Sequence, residues 1–238
     1  MTRAPLLTLK NVRAGYDRSI VLDGIDMTIR KGEIVALLGR NGVGKSTLLR
    51  SILGLLPSTG EIWLDWQDVA QMRSHLRAQA GIGYVPQGRG LFKTMTVAEN
   101  LATGLQIGRH ARSSRGSYLE AIDDLFPILR ARSSQLAGTM SGGEQQQVAI
   151  GRALAGGPML LILDEPFEGI QPSIVHLIAQ ALRRLNQEYG QTILIVEQNI
   201  EMICSIAHRC YVMDKGRIVN DVVVDVETGP LLHSFVSL

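Results

Sequence analysis

The run Gly39, Arg40, Asn41, Gly42, Val43, Gly44, Lys45, Ser46, Thr47 places glycines, a lysine and two hydroxyls at the spacing of a phosphate-binding loop. Glycines there let successive amide N–H groups turn inward into a concave anion site, and a helix beginning after Gly44 adds the positive end of its dipole. Lys45 is then a point charge for the outer phosphates, the Ser46 hydroxyl a hard oxygen ligand for Mg²⁺, and Thr47 a second grip on phosphate. A second chemical stretch is Asp164-Glu165, two carboxylates that follow the apolar run from Met159 to Leu163. Asp164 suits a place in the Mg²⁺ shell, and Glu165 suits removal of a proton from an attacking water. A lone Asp-Glu at a strand end is often only a turn, but beside a phosphate loop the catalytic reading prevails. The chemistry implied is binding of a nucleoside triphosphate with Mg²⁺ and hydrolysis of its terminal phosphate.

Three further groups are less decided by their own pattern. Ser141 and Glu144, in the run from Met140 to Gln147, match a capping box, and Gly142 and Gly143 at the helix start expose amides that could hold an anion. Taken alone, this stretch reads as a plain helix cap. Tyr16 precedes the phosphate loop, where its ring could stack on a purine base or pack a strand end, and local pattern leaves this open. Cys204 and His208 stand four residues apart and could share a helix face, but two ligands make no site, and Cys204 and Cys210 read as core packing. His75, His110, His176 and His233 are scattered.

The elements that must position these residues follow from punctuation and periodicity. Leu7, Leu9 and Val12, then Ile20 to Leu22, then Ile25, Met27 and Ile29 read as antiparallel strands, broken at Tyr16-Asp17-Arg18 and at Asp23-Gly24. Ile34 to Leu38 is a buried-type strand leading into the phosphate loop, and the helix after it runs to about Leu53, before Gly54 and Pro57. Short strands follow at 60–64 and 82–85, the latter ended by Pro86, and Gln87 then heads a glycine-punctuated loop to Phe92. Thr96 with Glu99, and Ser117 with Glu120, fit capping boxes. Beyond Glu165, Pro172 opens a helix to about Tyr189 that Gly190 caps, and Thr192 to Val196 is another buried strand. A helix to about Ala207, a hairpin through Asp214-Lys215-Gly216 and a short terminal helix or tail complete the chain. The expected fold is therefore α/β, with 1–89 and 156–238 as core and 90–155 as a mostly helical insert.

Composition sets outer bounds. With 238 residues and 45% hydrophobic content the chain can build a substantial core. No apolar run approaches the ~20 residues of a membrane span, and Met1 to Pro5 lack the apolar stretch of a secretory signal, so a cytosolic protein is expected unless a partner holds it at a membrane. A net charge of +2 demands no nucleic acid. Arg109, Arg112 and Arg115 read as a solvated segment.

The phosphate loop, the stretch from Met140 to Glu144 and the stretch from Leu160 to Glu165 stand in one order over nearly the whole chain. Together they resemble the ATP-binding subunit of an ABC transporter: Walker A, the family signature (usually Leu-Ser-Gly-Gly-Gln) and Walker B with its glutamate. The resemblance implies a phosphate-loop ATPase core with an antiparallel β subdomain and a helical insert, ATP and Mg²⁺ as ligands, and coupling of hydrolysis to transport. It makes Tyr16 the residue stacked on adenine and Gln87 the loop glutamine that senses Mg²⁺ and the membrane subunits. It also implies that Ser141, Gly142, Gly143 and Glu144 face the γ-phosphate of an ATP held by a second ATPase subunit. Differential binding then drives the cycle, since ATP bridges the closed pair better than ADP does.

The runs Tyr84 to Phe92 and Glu165 to Pro172 are similar to one of the two ATPases of branched-chain amino acid importers, closest to the branch for urea and short-chain amides. Such importers are bacterial or archaeal, with two membrane-spanning permease subunits, a sibling ATPase and a periplasmic substrate-binding protein; the ATPase sits at the cytoplasmic face of the plasma membrane. Three positions depart from the common pattern: Glu144 for the signature glutamine, Gln171 for an aspartate after Walker B, and Gln198 where a histidine usually contacts the γ-phosphate. Among rivals, a chromosome-maintenance ATPase needs a long heptad-patterned insert that 90–140 lacks, and a translation-associated ATPase usually carries two cassettes. An exporter subunit shares the same motifs.

Overall fold

The computed structural model describes residues 4–17, 19–107, 119–225 and 227–236. Arg109, His110, Arg112, Arg115 and Ser117 lie outside the described residues, and with Ser117 so does the capping pair expected between it and Glu120. By internal packing the chain forms two compact units, Met1–Arg77 with Thr192–Leu238, and Ala78–Gln191.

In the first unit, β1 (Pro5–Tyr16) and β2 (Ser19–Arg30) pair antiparallel, with β4 (Ser58–Leu64) and β5 (Gln67–Asp68) in the order β2-β1-β4-β5. Leu7, Leu9, Ile25, Met27 and Ile29 alternate into its buried face. Asp23-Gly24 does not end a strand as the sequence suggests. It is a bulge inside β2: Val12 pairs with Ile25 and Arg13 with Asp23, so Gly24 is the extra residue, at φ 76. The Asp23 amide is satisfied elsewhere, by the Gly216 carbonyl at 2.9 Å.

The same unit holds a second set of strands ordered β10-β9-β3-β8. Here β3 (Ile34–Leu38) lies parallel to both β8 (Thr192–Val196) and β9 (Arg209–Asp214), and β10 (Arg217–Val223) closes a hairpin with β9. Every residue of β3 and β8 is buried, as expected of parallel strands covered on both faces. α1 (Lys45–Ile52) follows the phosphate loop, and α8 (Ile200–Ile206) is capped by Asn199, whose side chain accepts from the Met202 amide. His208 is not on that helix, contrary to the shared face expected with Cys204. α8 stops at Ile206, Ala207 is extended, and His208 Nδ1 accepts the Ile34 amide at 3.0 Å. Cys210 is buried, whereas Cys204 is only half-buried. α9 (Thr228–Val236) is the last element of the described residues.

In the second unit, β6 (Ile82–Val85) pairs parallel with β7 (Leu160–Asp164). α3 (Val97–Ile107), helical residues 119–125 (α4), α5 (Pro127–Ala131) and α6 (Gly142–Ala155) form its helical part, with α7 (Pro172–Tyr189) after β7. The Thr96–Glu99 box forms as expected: Glu99 Oε2 accepts the Thr96 amide at 2.7 Å, and the Glu99 amide donates back to Thr96 Oγ1 at 3.2 Å. Gly190 ends α7 at φ 67. Among the described residues no helix is long and apolar enough to cross a membrane.

Candidate nucleotide site

In the first unit the loop 39–44 leaves the C-terminal end of β3 and turns directly into α1. Gly44 occupies the N-cap at φ 113, a conformation that L side chains rarely adopt, and no side chain caps the helix. The first amides of α1 therefore look toward the loop, where an anion would satisfy them. The loop is held from outside. A Cβ on Gly39 would stand 2.6 Å from the Met213 carbonyl, one on Gly44 would stand 2.9 Å from Met213 Cε, and the Gly216 amide donates to the Val43 carbonyl at 2.9 Å. The β9–β10 hairpin thus braces the loop, a contribution no local sequence signal announces.

Lys45 is 6% exposed, and its Nζ donates to the carbonyls of Gly39 at 2.6 Å and Arg40 at 2.9 Å. Its charge is folded across the loop. Ser46 is exposed and Thr47 is buried. Asn41 Oδ1 accepts from Gln198 Nε2 at 2.9 Å, so the residue after β8 reaches the rim of the loop. Tyr16, at the end of β1, is 41% exposed, and its phenolic oxygen accepts from Arg50 Nη1 at 3.2 Å. Its ring is not core packing.

In the second unit the carboxylates stand at the end of β7. Asp164 is 8% exposed and accepts from the Tyr84 hydroxyl at 3.2 Å. Glu165 has φ 47, and Gln87 Nε2 donates both to Glu165 Oε2 at 3.2 Å and to Glu168 Oε2 at 2.9 Å. The structure therefore brings Gln87 to the candidate base and adds Glu168, which sequence reading did not single out.

Ser141 caps α6 in a complete capping box. Its Oγ accepts the Glu144 amide at 3.4 Å, and its amide donates to Glu144 Oε2 at 2.8 Å. Glu144 Oε1 also pairs with Arg132 at 3.2 Å, and these donors, the Ser141 amide foremost, hold the Glu144 carboxyl below its ordinary range. The Glu144 side chain is thus engaged within its own helix cap. Gly143 must lack a side chain because a Cβ would stand 2.5 Å from Ile174 Cγ2 of α7.

The loop from Gln87 to Phe92 is fastened by residues that look like ordinary helix positions in sequence. Arg152 of α6 donates to the Gly90 carbonyl at 2.9 Å and lies over the Phe92 ring at 5.5 Å. Asn100, fully buried, accepts the Phe92 amide at 3.1 Å and donates to its carbonyl at 3.0 Å. Arg89 Nη1 donates to Gln145 Oε1 at 3.3 Å. Phe92 itself is 49% exposed.

In chemical kind the Ser46 hydroxyl of the first unit, and separately the Asp164 carboxylate and Gln87 amide oxygen of the second, are hard oxygens of the sort Mg²⁺ takes. Among the described residues there is no group of three or more His, Cys, Asp or Glu side chains that could hold a metal ion.

The ABC transporter family profile matches residues 22–168. The chain is 40% identical over 218 residues to the high-affinity branched-chain amino acid transport ATP-binding protein BraG of Pseudomonas aeruginosa, covering 90% of this chain and 91% of the relative. It is 34% identical to the lipopolysaccharide export system ATP-binding protein LptB of Escherichia coli, covering 90% and 88%. Among solved structures it is similar to the ADP conformation of an ATP-binding cassette of an ABC transporter, with a TM-score of 0.82, 28% identity, and coverage of 96% and 94%.

Proposed function

The chain belongs to the ABC transporter family, and on that premise we propose that it is the ATP-hydrolysing subunit of an importer for branched-chain amino acids, or for urea and short-chain amides. ABC transporter ATP-binding proteins are ATPases coupled to transport. The observation that carries the finer reading is the 40% identity to BraG across 90% of this chain.

In this reading ATP lies on the loop 39–47. Lys45 exchanges its bonds to the Gly39 and Arg40 carbonyls for phosphate oxygens, and the amides around Gly42, Val43 and Gly44 take the remaining phosphate charge. Ser46, Asp164 and Gln87 are the protein oxygens for Mg²⁺, which offsets phosphate charge when bound. Tyr16 supports the adenine ring, Gln198 and Asn41 guard the γ-phosphate end, and Glu165 removes the proton from the attacking water. Ser141, Gly142 and Gly143 serve an ATP held by a sibling ATPase subunit. Two permease subunits receive the work at the cytoplasmic face of the membrane, and a periplasmic protein delivers the solute.

Identity of 34% to LptB favours a competing assignment to export. Reconstitution of the chain with its permease pair and sibling in vesicles separates the two. The expected result is ATP-dependent uptake of leucine, urea or acetamide in the presence of a binding protein. ATP-dependent extraction of lipopolysaccharide, with no uptake of any of the three, would assign export.

A further inference from the structure

On the sheet β2-β1-β4-β5 the side chains of Leu7, Leu9, Ile62 and Leu64 fill the buried face, and the opposite face carries Thr8, Lys10 and Trp63. There Pro5, Leu6, Thr8, Lys10, Trp63 and Trp66 line an open pocket of about 400 Å³, the size of a small-ligand cleft. Trp66 is the unusual member. It occupies the two-residue turn between β4 and β5, where Asp65 has φ 44 and Trp66 φ 68. Both positions of such a turn favour Asn and Gly, and a bulky residue with positive φ is a backbone outlier. The indole recovers little by burial, because Trp66 is 72% exposed. A tryptophan that costs backbone energy and packs against little is not there for the fold. A tryptophan supplies large, rigid contact area to whatever binds it.

We propose that this pocket binds a small aromatic acid, a planar ring bearing a carboxylate or phosphate, between Trp66 and Trp63. The ring stacks on the indoles, and the acid group meets Lys10, the only charged residue of the lining among the described residues. Lys10 is available for this exchange. Its present partner is Glu61 at 3.5 Å, with both side chains more than half exposed, a pairing worth little in water. Glu61 is meanwhile kept in place by the Trp63 indole N–H, which donates to it at 2.9 Å. An aromatic amine would instead bring its charge against that of Lys10.

The chain has two tryptophans, both in this lining, so the two indole N–H signals of the ¹⁵N-labelled full chain report on the pocket directly. Benzoate and phenyl phosphate are the probes, with benzylamine as the charge-reversed control and acetate as the control without a ring. Both indole signals should move saturably with the two acids, and binding of benzylamine and of acetate should be at least about tenfold weaker. Lys10→Met should remove most of the preference for acid over amine. Trp66→Gly should abolish the response of the remaining signal, leave ATP turnover unchanged, and keep or raise Tm, since glycine accepts the turn. Absence of a saturable shift with every probe, as expected of a surface that engages only a protein, overturns the proposal. Equal binding of benzoate and benzylamine overturns it as well, and so does a Trp66→Gly protein whose Tm falls by several degrees.

Discussion

Glu165 holds a left-handed backbone conformation at φ 47, which costs a non-glycine residue about 1 kcal/mol, and its carboxylate is engaged by Gln87 at 3.2 Å. Strain of this kind persists where the surroundings fix the residue, and here it fixes a carboxylate rather than packing. Glu165→Gln should therefore leave ATP binding intact while turnover in the assembled transporter falls by about 10² to 10⁴, the usual contribution of a positioned base. Turnover at the parental rate, measured on the same complex, would remove Glu165 from that role. The chemical residues are legible in sequence wherever they are contiguous: Lys45 and Ser46 are dictated by loop spacing, and Asp164 and Glu165 by the end of a buried strand. Gln198 is different. Its contact with Asn41 spans 157 positions, and only the pairing of β8 with β3 sets it beside the loop.

The helix behind the phosphate loop needs both of its ends fixed, because its N-terminal amides serve an anion only if the axis points at the loop. Gly44 and the β9–β10 hairpin fix one end, and Arg77 fixes the other. Its guanidinium, 3% exposed, donates from Nη1 to the carbonyls of Ser51 at 2.7 Å and Ile52 at 2.8 Å, from Nη2 to Ala70 at 2.7 Å and from Nε to Met72 at 3.0 Å. Burial lowers the Arg77 pKa, yet a guanidinium stays protonated, and its charge complements the negative end of the α1 dipole. Arg77→Met should destabilise the protein by about 3 kcal/mol or more, because four carbonyls lose a donor away from water. Thermal or urea unfolding checks this, and a change under about 1 kcal/mol would mean that water replaces the guanidinium. Nothing in the sequence marks Arg77, whereas the strands around it were legible because Ile34–Leu38 and Thr192–Val196 are unbroken apolar runs. Asp23-Gly24 misled for a physical reason: a turn and a glycine bulge share one local signature, and what separates them is the distant Gly216 carbonyl that takes the Asp23 amide. The apparent Cys204–His208 pairing failed likewise, because the Ile34 amide holds His208 beyond the helix end.

At the scale of the whole molecule, the departures at Gln198 and Glu144 bear on which partner completes the enzyme. Gln198 offers a neutral amide, and its Nε2 donates to Asn41. An imidazolium at that strand end could place charge on the γ-phosphate in the transition state, which an amide cannot do. Two copies of this chain would repeat that deficit in both composite sites. A sibling subunit bearing histidine at the matching position would instead bring one fully equipped Walker side. This chain would face it with Ser141, Gly142 and Gly143, whose helix cap Glu144 completes as well as a glutamine would. Turnover by the purified chain alone should accordingly be slow, rise at least about tenfold on mixing with the sibling, and rise in the unmixed Gln198→His variant. Tight ATP binding by the unmixed chain should accompany its slow turnover, because the phosphate loop and Lys45 are complete within it. Fast turnover by the unmixed parent, unaltered by Gln198→His and by any sibling, would mean that the amide serves as well as the imidazole. The deficit assigned to Gln198 would then be absent, and two copies of this chain would suffice.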